Sequence, residues 1–348
     1  MFLARRGFMA SGSAKERKKS FPEWFFGKFS LAKPKEIVKL ICPLVAMIAM
    51  MIVNGAAQDV YPADETTVYY PIFIRASIVV YTALIVLSIW FEYARRHLVK
   101  WWGLIIFAFV ASGFYNLCTL KSGILELPYF PSFESMLAYC FQHYGRIAGD
   151  LCNSVTLYLQ GVFMGGVLGF LWGSAMGYSK HANYWLSPII KIIGPVPGVA
   201  WVTISLVLAP SNHFAALVVI ASTTWFPLSV NLAGGIRSVS RASIERAQTL
   251  GASDWYIMRH VVYPAAAPSI FTGLFMAFCF SLTSLVTAEV MGVNGGLGWR
   301  ISWAQSYMAY DIIYTIALTF IAMAFVLITL LFVVQRHTMS WSKEVIQW

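Results

Sequence analysis

The sequence predicts an all-α protein, a polytopic bundle of transmembrane helices, on three grounds. Hydrophobic residues make up 59% of the 348 residues and charged ones only 11%, against roughly 25% charged in soluble domains. Such a chain has too few polar groups to cover a water-exposed surface. Apolar stretches close to the roughly 20 residues that a helix needs to cross a bilayer recur along it. The net charge of +10 is also unevenly placed, with nine of the 25 Lys and Arg in the first 35 residues and most others flanking apolar runs. That placement fits loops held on the cytoplasmic side. It implies the lipid bilayer as partner and no nucleic acid.

Residues 1–35 read as a basic cytoplasmic arm, with no apolar core before a small-residue cleavage site. Residues 36–150 read as an N-terminal extension with three spans, Ile37–Val53, Pro71–Trp90 and Trp101–Leu120. The loop Asn54–Tyr70 carries Asp59, Asp64 and Glu65 and no Lys or Arg, so it is expected outside; Arg95, Arg96 and Lys100 are expected inside. Lys121–Asp150 reads as an external segment whose later part, Phe133–Ile147, has the pattern of an amphipathic helix on the membrane. Residues 151–335 read as a core of five spans, and residues 336–348 as a cytoplasmic tail.

The fourth span, Leu151–Met176, has Gly161, Gly165, Gly169, Gly173 and then Gly177 at intervals of four, along one face of a helix. Small residues let helix backbones approach closely in lipid, so this face is expected to bury against another helix. Lys180 and His181 mark a short turn. The fifth span, Ile189–Leu208, is interrupted by Gly194, Pro195, Pro197 and Gly198, a break tolerated at membrane depth where protein or a wet cavity satisfies the freed backbone. Phe214–Leu232, Ala265–Ala288 and Ile312–Val334 complete eight spans, which put both termini inside. Lys121, Arg146 and Arg300 are exceptions to the charge bias on the outer side.

Between the sixth and seventh spans lies a polar segment, 236–263. Ser243–Leu250 reads as a short helix with Ile244, Ala247 and Leu250 on its apolar side. Gly251 interrupts it as a residue able to take positive φ. Ala252–Val262 reads as a second short helix, and Pro264 opens the next span. A helix–glycine–helix projection between two spans has the shape of a docking element.

The order Glu245-Arg246-Ala247, three residues, Gly251, nine residues, Val261-Val262-Tyr263-Pro264 resembles the coupling motif of bacterial ABC-importer permeases, which runs E-A-A, three residues, G, nine residues, I-x-L-P. Arg246, Val261 and Tyr263 depart from that pattern. Ala288–Ile301, AEVMGVNGGLGWRI, resembles the corresponding segment of the nitrate/sulfonate/taurine branch. The resemblance covers roughly Asp150 to Gln335. It implies a type I ABC-importer permease fold, with Glu245, Arg246, Ala247, Gly251 and Pro264 in a segment that seats on ABC ATPase subunits. It further implies a second permease copy or paralogue and an extracytoplasmic solute-binding protein as partners. The implied cargo is a small anion or organic solute such as nitrate, a sulfonate, taurine or bicarbonate, with a thiamine-precursor pyrimidine as a further option.

The chain has no G-x-x-x-x-G-K-[ST] phosphate loop, no paired histidines at helical metal spacing and no nucleophile–base arrangement. No cofactor is therefore expected on this chain; ATP would be used by the partner. Candidates for a translocation path are polar residues inside the core spans: Asn153, Ser154, Thr156 and Gln160 in the fourth, Ser222, Thr223, Thr224 and Asn231 in the sixth, and Thr283, Ser284, Thr287 and Glu289 in the seventh. Ser and Thr can satisfy themselves on the preceding helical turn. Glu289 is expected at the outer face, as a gate or helix-pairing residue, because it would repel an anion. An ion-coupled carrier, or a membrane scaffold or sensor, remains open on the residues alone.

Overall fold

The computed structural model describes residues 34–56, 69–194 and 196–339. Nearly all of the basic arm, the acidic part of the loop with Asp59, Asp64 and Glu65, and the end of the tail lie outside the described residues. All regular structure among the described residues is helical. The chain divides into two compact units, Met1–Ser122 and Gly123–Trp348.

The first unit holds three long helices, α1 (Pro34–Ala56), α2 (Tyr69–Trp90) and α3 (Glu92–Asn116), the last extended by a π-type turn at Leu117–Lys121. Leu40, Met47, Tyr81 and Leu98 form its core. The Tyr81 hydroxyl donates to Leu40 O at 3.0 Å, which gives the polar end of a buried ring the partner it needs in an apolar interior. The basic residues expected in a loop, Arg95, Arg96 and Lys100, lie in the first turns of α3 instead. Arg95 Nε stands 3.7 Å from Glu36 Oε2 on α1, and Lys100 lies over the Trp101 ring.

The second unit begins with α4 (Phe133–Gln142) and α5 (Tyr144–Tyr178). The amphipathic segment is thus two helices, broken at His143, rather than one over Phe133–Ile147. Ser132 caps α4 by accepting from Ser135 N at 3.1 Å. Its apolar face does not lie free on a membrane: Met136, Ala138 and Tyr139 are buried, and Met136 O accepts from Thr315 Oγ1 of the last helix at 3.2 Å. The boundary drawn at Asp150 consequently falls inside this unit. At 35 residues, α5 is about 52 Å long, well beyond a hydrocarbon core of about 30 Å.

Next come α6 (Lys180–Ile193), α7 (Gly198–Leu208) and α8 (Asn212–Arg237). Ser179 caps α6 and Ser211 caps α8 through their side chains, so Lys180 and His181 are helical and the turn is confined to Ser179. The glycine face of α5 lies along α8. A Cβ built on Gly161 would meet Ile220, on Gly169 Trp225 O at 3.0 Å, on Gly173 Ser229 O at 2.8 Å and on Gly177 Ile236 at 2.7 Å. On Gly165 it would run into Ala221 O and Thr224. Both helices therefore ascend this seam in the same direction. A chain joining two parallel helices has to return across the full height of the bundle, and α6 and α7 do so as a pair meeting at 99°. The expected single span Ile189–Leu208 is thus a broken crossing that starts nine residues earlier, at Lys180, and turns between Ile193 and Gly198.

The remaining elements are α9 (Arg241–Thr249), α10 (Asp254–Ile257) with a π-type turn at Met258–Val262, α11 (Tyr263–Met291), α12 (Leu297–Ser306) and α13 (Tyr310–Thr338). Seven helices among the described residues are long and apolar enough to cross a membrane, and the bent pair, taken as one span, makes eight. The main core, with Leu157, Tyr158, Val219, Ile220, Leu285 and Ile316, sits where α5, α8, α11 and α13 meet.

Candidate functional site

The segment between α8 and α11 folds back on itself. Ser253 accepts from Tyr256 N at 3.4 Å to start α10, after α9 has been stopped by Gly251. That glycine takes φ +79°; its N–H donates to Gln248 O at 2.9 Å, and Ala252 N donates to Ala247 O at 3.1 Å. This pair of bonds is the Schellman closure of a helix, and it explains the spacing Ala247-x-x-x-Gly251. A Cβ at Gly251 would meet nothing within 4 Å, so backbone conformation, not space, demands glycine here. Pro264, at the start of α11, has no N–H for the carbonyl four residues back, and the helical ladder widens into the π-type turn immediately before it.

Ile244, Ala247 and Ala252 pack on a cluster of Leu232, Ile236, Ile257, Met258, Val262 and Ala266, so the projection is seated on the ends of α8 and α11. Leu250 is not on that apolar side. It is the cap residue of α9 and 87% exposed; Trp255 and Tyr256 are also exposed. Glu245 and Arg246 are exposed as well. Glu245 lies beyond the first turn of α9, so a helix-dipole role at the N-terminus does not apply to it. Arg246 folds back to Ala242 O at 2.9 Å and Ser243 Oγ at 3.2 Å. The expected second helix, Ala252–Val262, is one short turn followed by the π-type turn, continuous with α11. Arg237 ties the same end of the bundle together, donating to Met176 O at 3.0 Å and to Asn183.

At the opposite end, Glu289 is 1% exposed, not at an open outer face. One carboxyl oxygen accepts from Ser154 Oγ at 2.6 Å and the other from Gly298 N at 2.7 Å. Ser154 Oγ in turn accepts from Leu297 N at 2.8 Å. Gly295 and Gly296, at φ +127° and +103°, let the chain turn around this carboxyl, and a Cβ on Gly298 would meet Glu289 Cβ at 2.9 Å. The arrangement latches α5, α11 and α12 to one another. Beside it Arg300 Nε meets Asp150 Oδ2 at 2.7 Å, with both side chains mostly buried, and the guanidinium lies over Trp299 and Trp303. Arg300 departs from the charge bias because it is neutralised within the fold. Ser154, one of the polar candidates of the fourth span, belongs to this latch; Asp150 and the Gly295–Gly296 turn are not legible as site residues in the sequence, and the Asp/Arg pair, 150 residues apart, leaves no local pattern to find.

The other path candidates fall in three places. Asn153 and Gln160 are on the exposed face of α5, where Gln160 Oε1 lies 3.2 Å from His213 Nε2. Thr224 is fully buried in the α5–α8 seam with its hydroxyl on Ile220 O at 2.8 Å, so it faces no open surface. Asn231 Nδ2 donates to Pro227 O and reaches Met276 Sδ. Met276 shares one face of α11 with Thr283, which is exposed, and Thr287, which is half-buried. Both threonines also satisfy themselves on the preceding turn, on Cys279 O and Thr283 O. Among the described residues no group of three His, Cys, Asp or Glu side chains could hold a metal.

Known proteins are similar to this chain in sequence. The chain is 29% identical over 195 residues to the taurine transport system permease protein of Escherichia coli (strain K12), covering 56% of this chain and 71% of that one. It is 34% identical over 163 residues to the bicarbonate transport system permease protein of Synechococcus elongatus, covering 46% and 58%. A crystal structure of an amino acid ABC transporter with histidines superposes over 57% of this chain and 97% of its own, with 18% identity and a TM-score of 0.49. The family described as binding-protein-dependent transport system inner membrane component matches residues 165–339, half of the chain, and the chain is a multi-pass inner-membrane protein that belongs to that family.

Proposed function

We propose that the chain is the transmembrane permease subunit of an ATP-binding-cassette importer. It forms part of a path for a small anion or organic solute such as nitrate, a sulfonate, taurine or bicarbonate. The observation that carries this reading is the projection Arg241–Val262, a Schellman-closed helix and turn seated on the ends of two spanning helices. It holds Leu250, Trp255 and Tyr256 outward with Glu245 and Arg246 beside them. Exposed apolar side chains rimmed by charge mark a docking surface, and the partner is an ABC ATPase subunit. This chain binds no cofactor of its own; ATP is used by that partner. A second copy or a paralogue completes the path, and an extracytoplasmic binding protein delivers the solute. Eight crossings put both termini on one side, and the charge bias makes that side the cytoplasm.

The test is Gly251→Val, a β-branched residue where φ is +79°, a strained combination. Membrane abundance should stay normal, solute uptake should fall, and the ATPase should co-purify poorly or hydrolyse ATP without transport. Normal uptake with normal ATPase recovery by this variant would sink the reading.

A further inference from the structure

The break between α6 and α7 lies beside the middle of α8. A Cβ on Gly198 would come 2.7 Å from Ser284 Oγ of α11 and 3.5 Å from Thr223 Cγ2 of α8. Thr223 is 11 residues into a 26-residue spanning helix, so this point is near mid-membrane. There α7 begins without a side-chain cap, after Pro197. Ala200 N bonds to Pro197 O at 3.0 Å, while the N–H groups of Gly198 and Val199 have no partner within the helix. Backbone donors without a helical partner are costly at this depth unless something accepts from them.

A second, independent feature points the same way. Ser284 is 5% exposed, and its hydroxyl has no hydrogen-bond partner among the described residues. Other hydroxyls nearby differ: Ser222, Thr223, Ser281, Thr283 and Thr287 all donate to a carbonyl of the preceding turn. Ser284 alone of this group keeps its O–H for something else, and it lies against the first residue of α7. The single carboxyl near this level of α11, Glu289, is engaged with Ser154 and Gly298 toward α5 and does not occupy the spot.

The geometry points to a mid-membrane binding site for a singly charged oxyanion group, formed by the N–H groups of Gly198 and Val199 and the hydroxyl of Ser284. This site rests on the permease reading and gives it a substrate class: nitrate, hydrogencarbonate and sulfonates share this group. The positive end of an 11-residue helix supplies partial charge, and no Lys or Arg is needed. That suits passage, since a fixed cation at this depth would hold the anion instead of releasing it. Broken helices that aim their N-terminal ends at an anionic group are a recurrent solution in transporters.

The test is saturation-transfer NMR on the full chain in lipid nanodiscs, a method that registers weak binding, with methanesulfonate as probe. Wild type should give a methanesulfonate signal that nitrate and hydrogencarbonate each compete away, and tetramethylammonium should give none. Ser284→Ala should raise the concentration for half-maximal signal by roughly tenfold or more, the usual scale for a hydrogen bond to a charged group, and Ser284→Thr should not. Val199→Pro removes one donor where a first-turn proline is tolerated and should weaken binding likewise. No signal in wild type, an equal signal from tetramethylammonium, or unchanged affinity in both Ser284→Ala and Val199→Pro would overturn the site. A chain that co-purifies with its ATPase yet gives no methanesulfonate signal loses the site and keeps the permease reading. One that binds methanesulfonate and never recovers an ATPase loses the permease reading and keeps the site.

Discussion

At the scale of single residues, the acidic side chain with the most consequence is Glu289, because three elements converge on its two oxygens. Glu289→Gln keeps the shape and, with its oxygen on the Gly298 N–H, sets its NH2 against Ser154 Oγ, so the Ser154 O–H loses its carboxylate acceptor and has to turn away. Losing a buried bond of this kind costs on the order of 1–3 kcal/mol. Thermal unfolding in detergent should shift down accordingly, and amides 293–298 should exchange faster with deuterium; unchanged exchange there would show that the latch does not hold the loop. Glu289 stood out in the sequence as an acid in an apolar span, and its burial did not. Which helix supplies the partner is a tertiary fact, and Ser154 looks like any other serine. Gly251 is the opposite case. The spacing from Ala247 fixes a hydrogen-bonded closure within a few residues, so its positive φ could be read locally. Leu250, one residue before, was placed on the wrong side because the helical period was carried one position past the helix end.

At the scale of elements, the α5–α8 seam makes the sharpest prediction. Gly169→Leu would push a side chain into Trp225 O and Leu228, both part of a spanning helix, and overpacking of this kind typically costs about 1–3 kcal/mol. Yield of monodisperse protein in detergent should drop, while Leu171→Ala, at an exposed position of the same helix, should leave it unchanged. Equal yields would mean that the seam can spread at no cost. The four-residue glycine period was visible in the sequence because it is a property of one helix. The helix starts at Ser132, Ser179 and Ser211 are just as local, each a serine whose side chain accepts from the N–H three residues on, yet the apolar runs alone put a turn at Lys180–His181 and begin the following spans later, at Ile189 and Phe214. The break at His143 and the continuity of Met258–Val262 with α11 are not local. Apolar content there supports a helix on either side of the change, and packing of α4 on α13 decides where the chain bends.

At the scale of the whole molecule, the parallel run of α5 and α8 requires an odd number of crossings between them, and so fixes which loops share a side. In an otherwise cysteine-free chain, Ile124→Cys should react with an impermeant thiol reagent in intact cells, and Leu250→Cys only after permeabilisation. Both positions are strongly exposed, so silence cannot be blamed on burial, and labelling of position 250 from outside would invert the topology. Charge bias alone left this open at Arg300, which the fold neutralises with Asp150.

The same seam also limits how the molecule can move. With glycine faces set against carbonyls and side chains of α8 from Gly161 to Gly177, neither helix can slide along the other without lifting every tooth of a rack over the next at once. The pair is therefore a strut. Any change of shape during a cycle has to swing it as one piece, and the give has to come from the joints on either side, the elbow between α6 and α7 and the glycine turn before α12.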